Sequence, residues 1–227
     1  MFNIFLYLTL LFALLEWIAV QCSWRRLEYI AKPGTMIFLL IWLQYTAGSG
    51  AFFHSNLGWF ALGACLSLAG DVVLLISDRL FVAGLAAFLL AHLAYIVGFT
   101  LPLPVFRFSM LALAGVVILV SWKMYRYFNS GIKARSALLQ RAILLYSIVI
   151  TGMLLSALIT ILRADWSLNP ALLVSLGASL FYLSDFLLAR ITFGAPLRYG
   201  RLMVMATYHL GQLLLLIGAL VQSGYSK

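Results

Sequence analysis

Two aspartates stand where aspartate is costly. Asp71 and Asp185 lie in apolar stretches long enough to cross a bilayer, where a charged side chain near the centre costs about 3 kcal/mol unless it faces a bundle interior or a hydrated cavity. Asp71 precedes Asp78-Arg79 by seven residues and Asp185 precedes Arg190 by five. At about 1.5 Å of rise per helical residue, both carboxylates sit on the order of 10 Å inside the same membrane edge. Two carboxyl groups in one site can divide the work of acid and base, one donating a proton while the other faces positive charge and activates water.

Other polar side chains gather in the same half of the spans. Glu16 comes late in the first, Lys32 leads into the second, Ser67 precedes Asp71 by four residues, Tyr182 precedes Asp185 by three, and Tyr208, His209 and Gln212 open the last. His92 and Tyr95 lie nearer the middle. The opposite half is nearly devoid of ionisable groups, so the pattern predicts a polar cavity open toward one leaflet rather than a channel. Structural readings compete for each residue: either Asp can bond a neighbouring helix, His92 and His209 can be hydrogen-bonded packing residues, Glu16 can reach to the interface, and Lys32 can be a topological charge. The three histidines, His54, His92 and His209, do not form a convincing zinc set because His54 falls at the other membrane edge; no metal or cofactor is expected.

The elements that must position these residues follow from composition. Of 227 residues, 65% are hydrophobic and 9% charged, against about a quarter charged in soluble domains. This excludes a soluble chain, a disulfide scaffold and a nucleic-acid-binding domain; the net charge of +9 reports orientation rather than a nucleic-acid partner. Cuts at Pro, Gly, Asn and charge clusters predict an all-α polytopic bundle of eight transmembrane helices in a single membrane domain, with spans at 2–20, 35–53, 57–77, 80–100, 105–122, 142–162, 169–189 and 202–222. The first lacks the basic leader of a signal peptide and is read as a retained span. Cys22 and Cys65 fall toward opposite edges and read as small apolar packers without a bridge.

The connections after spans one, three, five and seven hold Arg25, Arg26, Lys32, Arg79, Lys123, Arg126, Lys133, Arg135, Arg141, Arg190, Arg198 and Arg201; the other side holds Arg107, Arg163 and Lys227. This asymmetry places the basic edge in the cytoplasm and both termini outside. Trp24 and Trp122, with Trp59 and Trp166, read as aromatic belts at the two edges, and the stretch from Lys123 to Arg141 as a basic loop attracted to anionic lipid. A weak repeat relates Leu68 to Leu74 with Tyr182 to Leu188, each around its aspartate, four spans apart. That offset would make a parallel four-plus-four repeat bringing both carboxylates to one site.

At these residues the chain resembles a known family. The stretch LSLAGDVVLLISDRLFVAGLAAFLLAHLAYIVGF, the later GASLFYLSDFLLARITF with MVMATYHLGQLLL, and the early EYIAKPGTM together resemble the YhhN-like family, to which the eukaryotic lysoplasmalogenases belong. The resemblance covers nearly the whole chain. It implies an integral membrane hydrolase that cleaves the vinyl-ether bond of lysoplasmalogens to a fatty aldehyde and a glycerophospho-headgroup, with the family's two essential aspartates falling on Asp71 and Asp185. The expected partners are then a vinyl-ether lysophospholipid and the bilayer, the expected location a bacterial inner membrane, and the candidate substrate-binding side chains those gathered above. Two other readings stay open: a proton-coupled transporter of a lipid or small solute, which paired buried acids in a repeat would also suit, and a hydrolase of a related lysolipid.

Overall fold

A long apolar run in lipid can satisfy its backbone N–H and C=O groups only within a helix or a closed barrel. In the computed structural model, which describes residues 2–48, 50 and 55–225, all the described regular structure is helical: nine α-helices and no strand. We number them α1 (Ile4–Cys22), α2 (Arg25–Ala47), α3 (Leu57–Ile76), α4 (Phe81–Thr100), α5 (Phe108–Tyr127), α6 (Asn129–Lys133), α7 (Ala137–Ile159), α8 (Leu168–Phe193) and α9 (Gly200–Gln222). Among the described residues, seven helices, all but α2 and the short α6, are long and apolar enough to cross a membrane, and the chain is an integral multi-pass membrane protein. Neighbour packing runs α1, α2, α3, α4, α7, α8, α9 and back to α1, a closed ring; α5 leans on α7, and α9 also touches α2 and α3.

The second element departs from the expected 35–53. Its helix starts ten residues earlier, at Arg25, and runs through Pro33. Pro33 removes only its own N–H, leaving the Tyr29 carbonyl without that bond, and the bare Cα of Gly34 lets the Phe12 ring of α1 lie against it. The two breakers read as a boundary therefore mark a close helix contact. The longer α2 carries Arg25, Arg26, Glu28 and Lys32, which is why it is as long as the others and less apolar. Its buried positions Glu28, Ala31, Lys32, Thr35 and Leu39 recur at helical spacing and turn Glu28 and Lys32 inward, one turn apart. The far end expected for this span, residues 51–53, lies outside the described residues, as do His54 and Lys227.

The basic stretch from Lys123 to Arg141 is mostly helix rather than loop: α5 continues to Tyr127, α6 follows, and α7 begins at Ala137. Charge ends the apolar stripe there without ending the helix. Cys22 and Cys65 are free and lie on the outside of the bundle, not packed within it. Trp166 is buried against Phe99 instead of joining a surface belt, whereas Trp24, Trp59 and Trp122 are exposed.

The glycines set the closest approaches. On α3, Gly63 faces the ring of Tyr95 and Gly70 faces Phe88, both of α4. Between α8 and α9 the backbones themselves meet: a Cβ on Gly177 would lie 2.7 Å from the Leu215 nitrogen, and one on Gly211 would lie 2.9 Å from the Phe181 nitrogen. These contacts hold α3 against α4 and α8 against α9, and so fix the depth of Asp71 and Asp185.

Candidate active site

Asp71 lies on the buried face of α3 with the small residues Ala64 and Ser67. Its two oxygens are taken by different helices. The Lys32 ammonium of α2 lies 3.4 Å from Oδ1, and the Tyr208 hydroxyl of α9 donates to Oδ2 at 2.7 Å. Asp185 of α8 has a different setting. The Tyr146 hydroxyl of α7 donates to its Oδ2. His92 Nε2 of α4 stands 3.0 Å from that hydroxyl and 3.6 Å from the same carboxylate oxygen. The Asp185 side chain keeps 17% of its surface exposed and that of Asp71 only 2%. Among the described residues no group donates to Oδ1 of Asp185.

Both aspartates line one cavity of about 140 Å³ at the basic end of the bundle, together with Lys32, Tyr146, Tyr182 and Tyr208. Its remaining wall is largely apolar, with Leu85, Phe88, Ile143, Ile150 and Phe186 among the lining side chains. The carboxylates are not hydrogen-bonded to one another; each keeps its own partners across this space. Phe181 connects the two settings, its ring meeting Tyr208 at 5.2 Å and His92 at 4.8 Å, both edge to face. Tyr182 donates to Ser121 of α5 at 2.8 Å, spanning the cavity's edge.

The other candidates stand behind the lining. One turn beyond Asp71 and Tyr208, Ser67 and Gln212 are buried beside Tyr95, whose hydroxyl donates to Gln212 Oε1 at 2.6 Å. This is a packed polar layer beneath the cavity. His209 faces α1 and accepts from the Trp17 indole at 3.1 Å. Glu16 is fully buried with neither oxygen hydrogen-bonded, and it feels the charges of Glu28, Lys32, Asp71 and Arg201. Arg201 pairs with Glu28, tying α9 to α2. Thus Lys32, Asp71, Tyr182, Asp185 and Tyr208 share the cavity, and Glu16, Ser67, His92, Tyr95, His209 and Gln212 do not line it. Among the described residues no three His, Cys, Asp or Glu side chains are grouped to hold a metal.

Sequence reasoning missed Tyr146. It lies 39 residues from its carboxylate partner inside an apolar run, where tyrosine counts as one more large hydrophobe. The only signal is that a buried phenol needs a partner, which does not say where that partner is.

A cavity at one membrane edge, walled by apolar side chains and furnished with two carboxylates and one lysine, suits an amphiphile with an anionic head. Known proteins are similar to this chain over most of its length. Lysoplasmalogenase TMEM86B of Mus musculus is 29% identical over 212 residues, covering 92% of this chain and 82% of that protein. The Rattus norvegicus protein of the same name is 28% identical over 205 residues, covering 90% and 77%. The Homo sapiens one is 32% identical over 200 residues, covering 88% and 77%. No solved structure matches the chain. The YhhN family matches residues 27–219, a stretch that contains Lys32, both aspartates, Tyr146 and Tyr208, and on this match and those relatives the chain belongs to the YhhN family.

Proposed function

We propose that the protein hydrolyses the vinyl-ether bond of lysoplasmalogens, releasing a fatty aldehyde and the glycerophospho-headgroup. The observation that carries this reading is the single cavity holding Asp71, Asp185 and Lys32; the lysoplasmalogenase relatives support the substrate class.

A vinyl ether resists nucleophiles and opens through acid. A proton from Asp185 Oδ1 goes to the alkenyl carbon beta to the ether oxygen, leaving an oxocarbenium ion and an Asp185 carboxylate. Water adds to the cationic carbon and gives its proton back to Asp185. The resulting hemiacetal collapses to the aldehyde as its hydroxyl proton passes to the departing glycerol oxygen, so no proton is gained or lost overall. The logic is that of glycosidases, in which two carboxyl groups flank an oxocarbenium-like state. Asp185 has the more exposed side chain and one oxygen without a donor among the described residues, and it takes the proton-transfer role. Asp71, with both oxygens engaged, supplies fixed negative charge opposite the cation and holds Lys32 toward the substrate phosphate, which an ammonium meets as a point charge. Apolar lining such as Phe88 and Ile150 takes the start of the alkenyl chain.

In the same proposal α2 is an eighth spanning helix, the basic end lies in the cytoplasm of a bacterial inner membrane, and α3 with α4 corresponds to α8 with α9 in a parallel repeat. The test is aldehyde release by protein purified in detergent, with ester and saturated-ether lysolipids as controls. Turnover confined to the vinyl ether and reduced to a residual rate, about a thousandfold lower, in both Asp71→Asn and Asp185→Asn is the expected result; full turnover in both variants sinks the mechanism.

A further inference from the structure

We infer that Tyr146 and His92 form a donor chain that fixes which oxygen of Asp185 carries the exchangeable proton, making them positioning residues for this acid. The inference rests on the proposed hydrolysis and goes beyond it, because neither side chain is needed to state that reaction.

The direction of the chain follows from one unpartnered atom. His92 is fully buried, and its Nδ1 has no hydrogen-bond partner. A proton on Nδ1 would be a buried donor with nothing to meet, whereas a bare lone pair there costs less. The proton of the neutral ring therefore sits on Nε2, which is the nitrogen 3.0 Å from the Tyr146 hydroxyl. His92 Nε2–H donates to Tyr146, and Tyr146, having one hydroxyl proton, donates to Asp185 Oδ2. Each bond polarises the next. Reversing the chain would require Asp185 to donate from Oδ2, Tyr146 to donate to Nε2, and the imidazole proton to move to Nδ1, where no acceptor lies.

The consequence is chemical. Oδ2 stays an acceptor whether Asp185 is ionised or protonated, so the transferable proton occupies Oδ1, the oxygen that accepts from no donor among the described residues. The two half-sites then differ in kind. Both oxygens of Asp71 are engaged, by the Lys32 ammonium and the Tyr208 hydroxyl. Asp185 has one oxygen held by a neutral relay and one free. Phe181 packs against His92 and Tyr208 alike, so the ring that keeps water from the imidazole also seats the phenol serving Asp71. Tyr146 lies on the cavity wall while His92 stands behind it, the order a relay reaching inward from the core requires.

The experiment is a double-mutant cycle on turnover of a lyso-vinyl-ether lipid. Tyr146→Phe should lower kcat about 10- to 100-fold with KM within about twofold, the scale for losing a hydrogen bond to a charged group. His92→Gln should give a smaller loss of the same kind. In the Asp185→Asn background, Tyr146→Phe should change the residual rate by less than about twofold, because a residue that acts through Asp185 has nothing left to act on. Equal losses in both backgrounds, or wild-type kcat in Tyr146→Phe, overturn the inference. Should Tyr146→Phe fail to fold, 3-fluorotyrosine at position 146 keeps the packing and alters only donor strength. It should then move the pH–rate profile at constant KM, and an unmoved profile overturns the inference equally. Wild-type turnover in Asp185→Asn itself is a separate result, which removes the hydrolytic reading rather than the relay.

Discussion

At the scale of single residues, Lys32 gives the sharpest consequence. An ammonium has three donors; one is directed at Asp71 Oδ1 at 3.4 Å, which leaves the others for a substrate on the cavity wall. Lys32→Gln should raise KM for a phosphate-bearing lysoplasmalogen about 10- to 100-fold, while Lys32→Arg, which keeps the charge, should stay much closer to wild type. A headgroup-free alkenyl glycerol reports the same site without the phosphate, and its KM should move little. An equal effect on both substrates would place Lys32 in the service of Asp71 alone. Removing one member of a buried pair also costs stability, about 3–5 kcal/mol, so Lys32→Gln should melt earlier in detergent. The sequence made Asp71, Asp185 and Lys32 legible because charge inside an apolar run has few innocent explanations. Tyr146 was not legible: its role is created by α7 lying beside α4 and α8, and nothing within a few residues of it announces that contact.

At the scale of elements, the length of the apolar runs located seven of the eight expected spans, and glycine and charge misled at two ends. Pro33-Gly34 looked like a boundary and proved to be a contact surface for Phe12; Lys123 and Arg126 looked like loop and proved to be the last turns of α5. What decides is the space at the glycine, and sequence does not carry it. Gly211→Val should therefore disrupt the α8–α9 pair, since its side chain would meet the backbone of α8 at Phe181 and Gly177; overpacking of this kind costs about 1–3 kcal/mol or more. Gly115→Ala on α5, where nothing lies within 4 Å, should be tolerated or stabilise by up to about 1 kcal/mol. Melting temperatures in one detergent compare the two; equal losses would mean that the backbone contact is not limiting. At the other end of the bundle Arg163 is a structural tie. Its side chain is 2% exposed and donates to the carbonyls of Phe99 and Pro102 as well as to Asp165. Arg163→Gln should cost about 1–3 kcal/mol by leaving those carbonyls short of a donor, and Asp165→Asn less than about 1, because Asp165 is 46% exposed and screened. The Arg163 hydrogen bond holds the Asp165 carboxyl below its ordinary value of 3.8. Its stabilising share is therefore complete above that ordinary value and is lost as pH falls through the lowered one. Below about pH 4 the melting difference between wild type and Asp165→Asn should shrink; a difference constant down to pH 2 would contradict this.

At the scale of the whole molecule, the ring is what no single stretch of sequence announces. Patterning gave each helix an apolar side, but which helix follows which around the ring depends on packing among distant segments, as when α4 meets α7 and passes over α5. That order brings Asp71, Tyr208, Asp185 and Tyr146 from four helices to one cavity. It also places the cavity at the end where basic residues collect, as its lining by Phe81, Phe193 and Val204 near the helix ends requires. The short connections at that end should hold it in the cytoplasm, because positively charged loops resist translocation. Single cysteines in a Cys22→Ser/Cys65→Ser background can read this directly. Phe2→Cys, at an exposed position beside the start of α1, should react with a membrane-impermeant maleimide added to intact spheroplasts. Arg135→Cys, exposed between α6 and α7, should react only once the membrane is inverted or opened. The opposite pattern would turn the cavity to the outer leaflet, so that substrate would have to arrive from outside the cell rather than from lysolipid produced at the inner face.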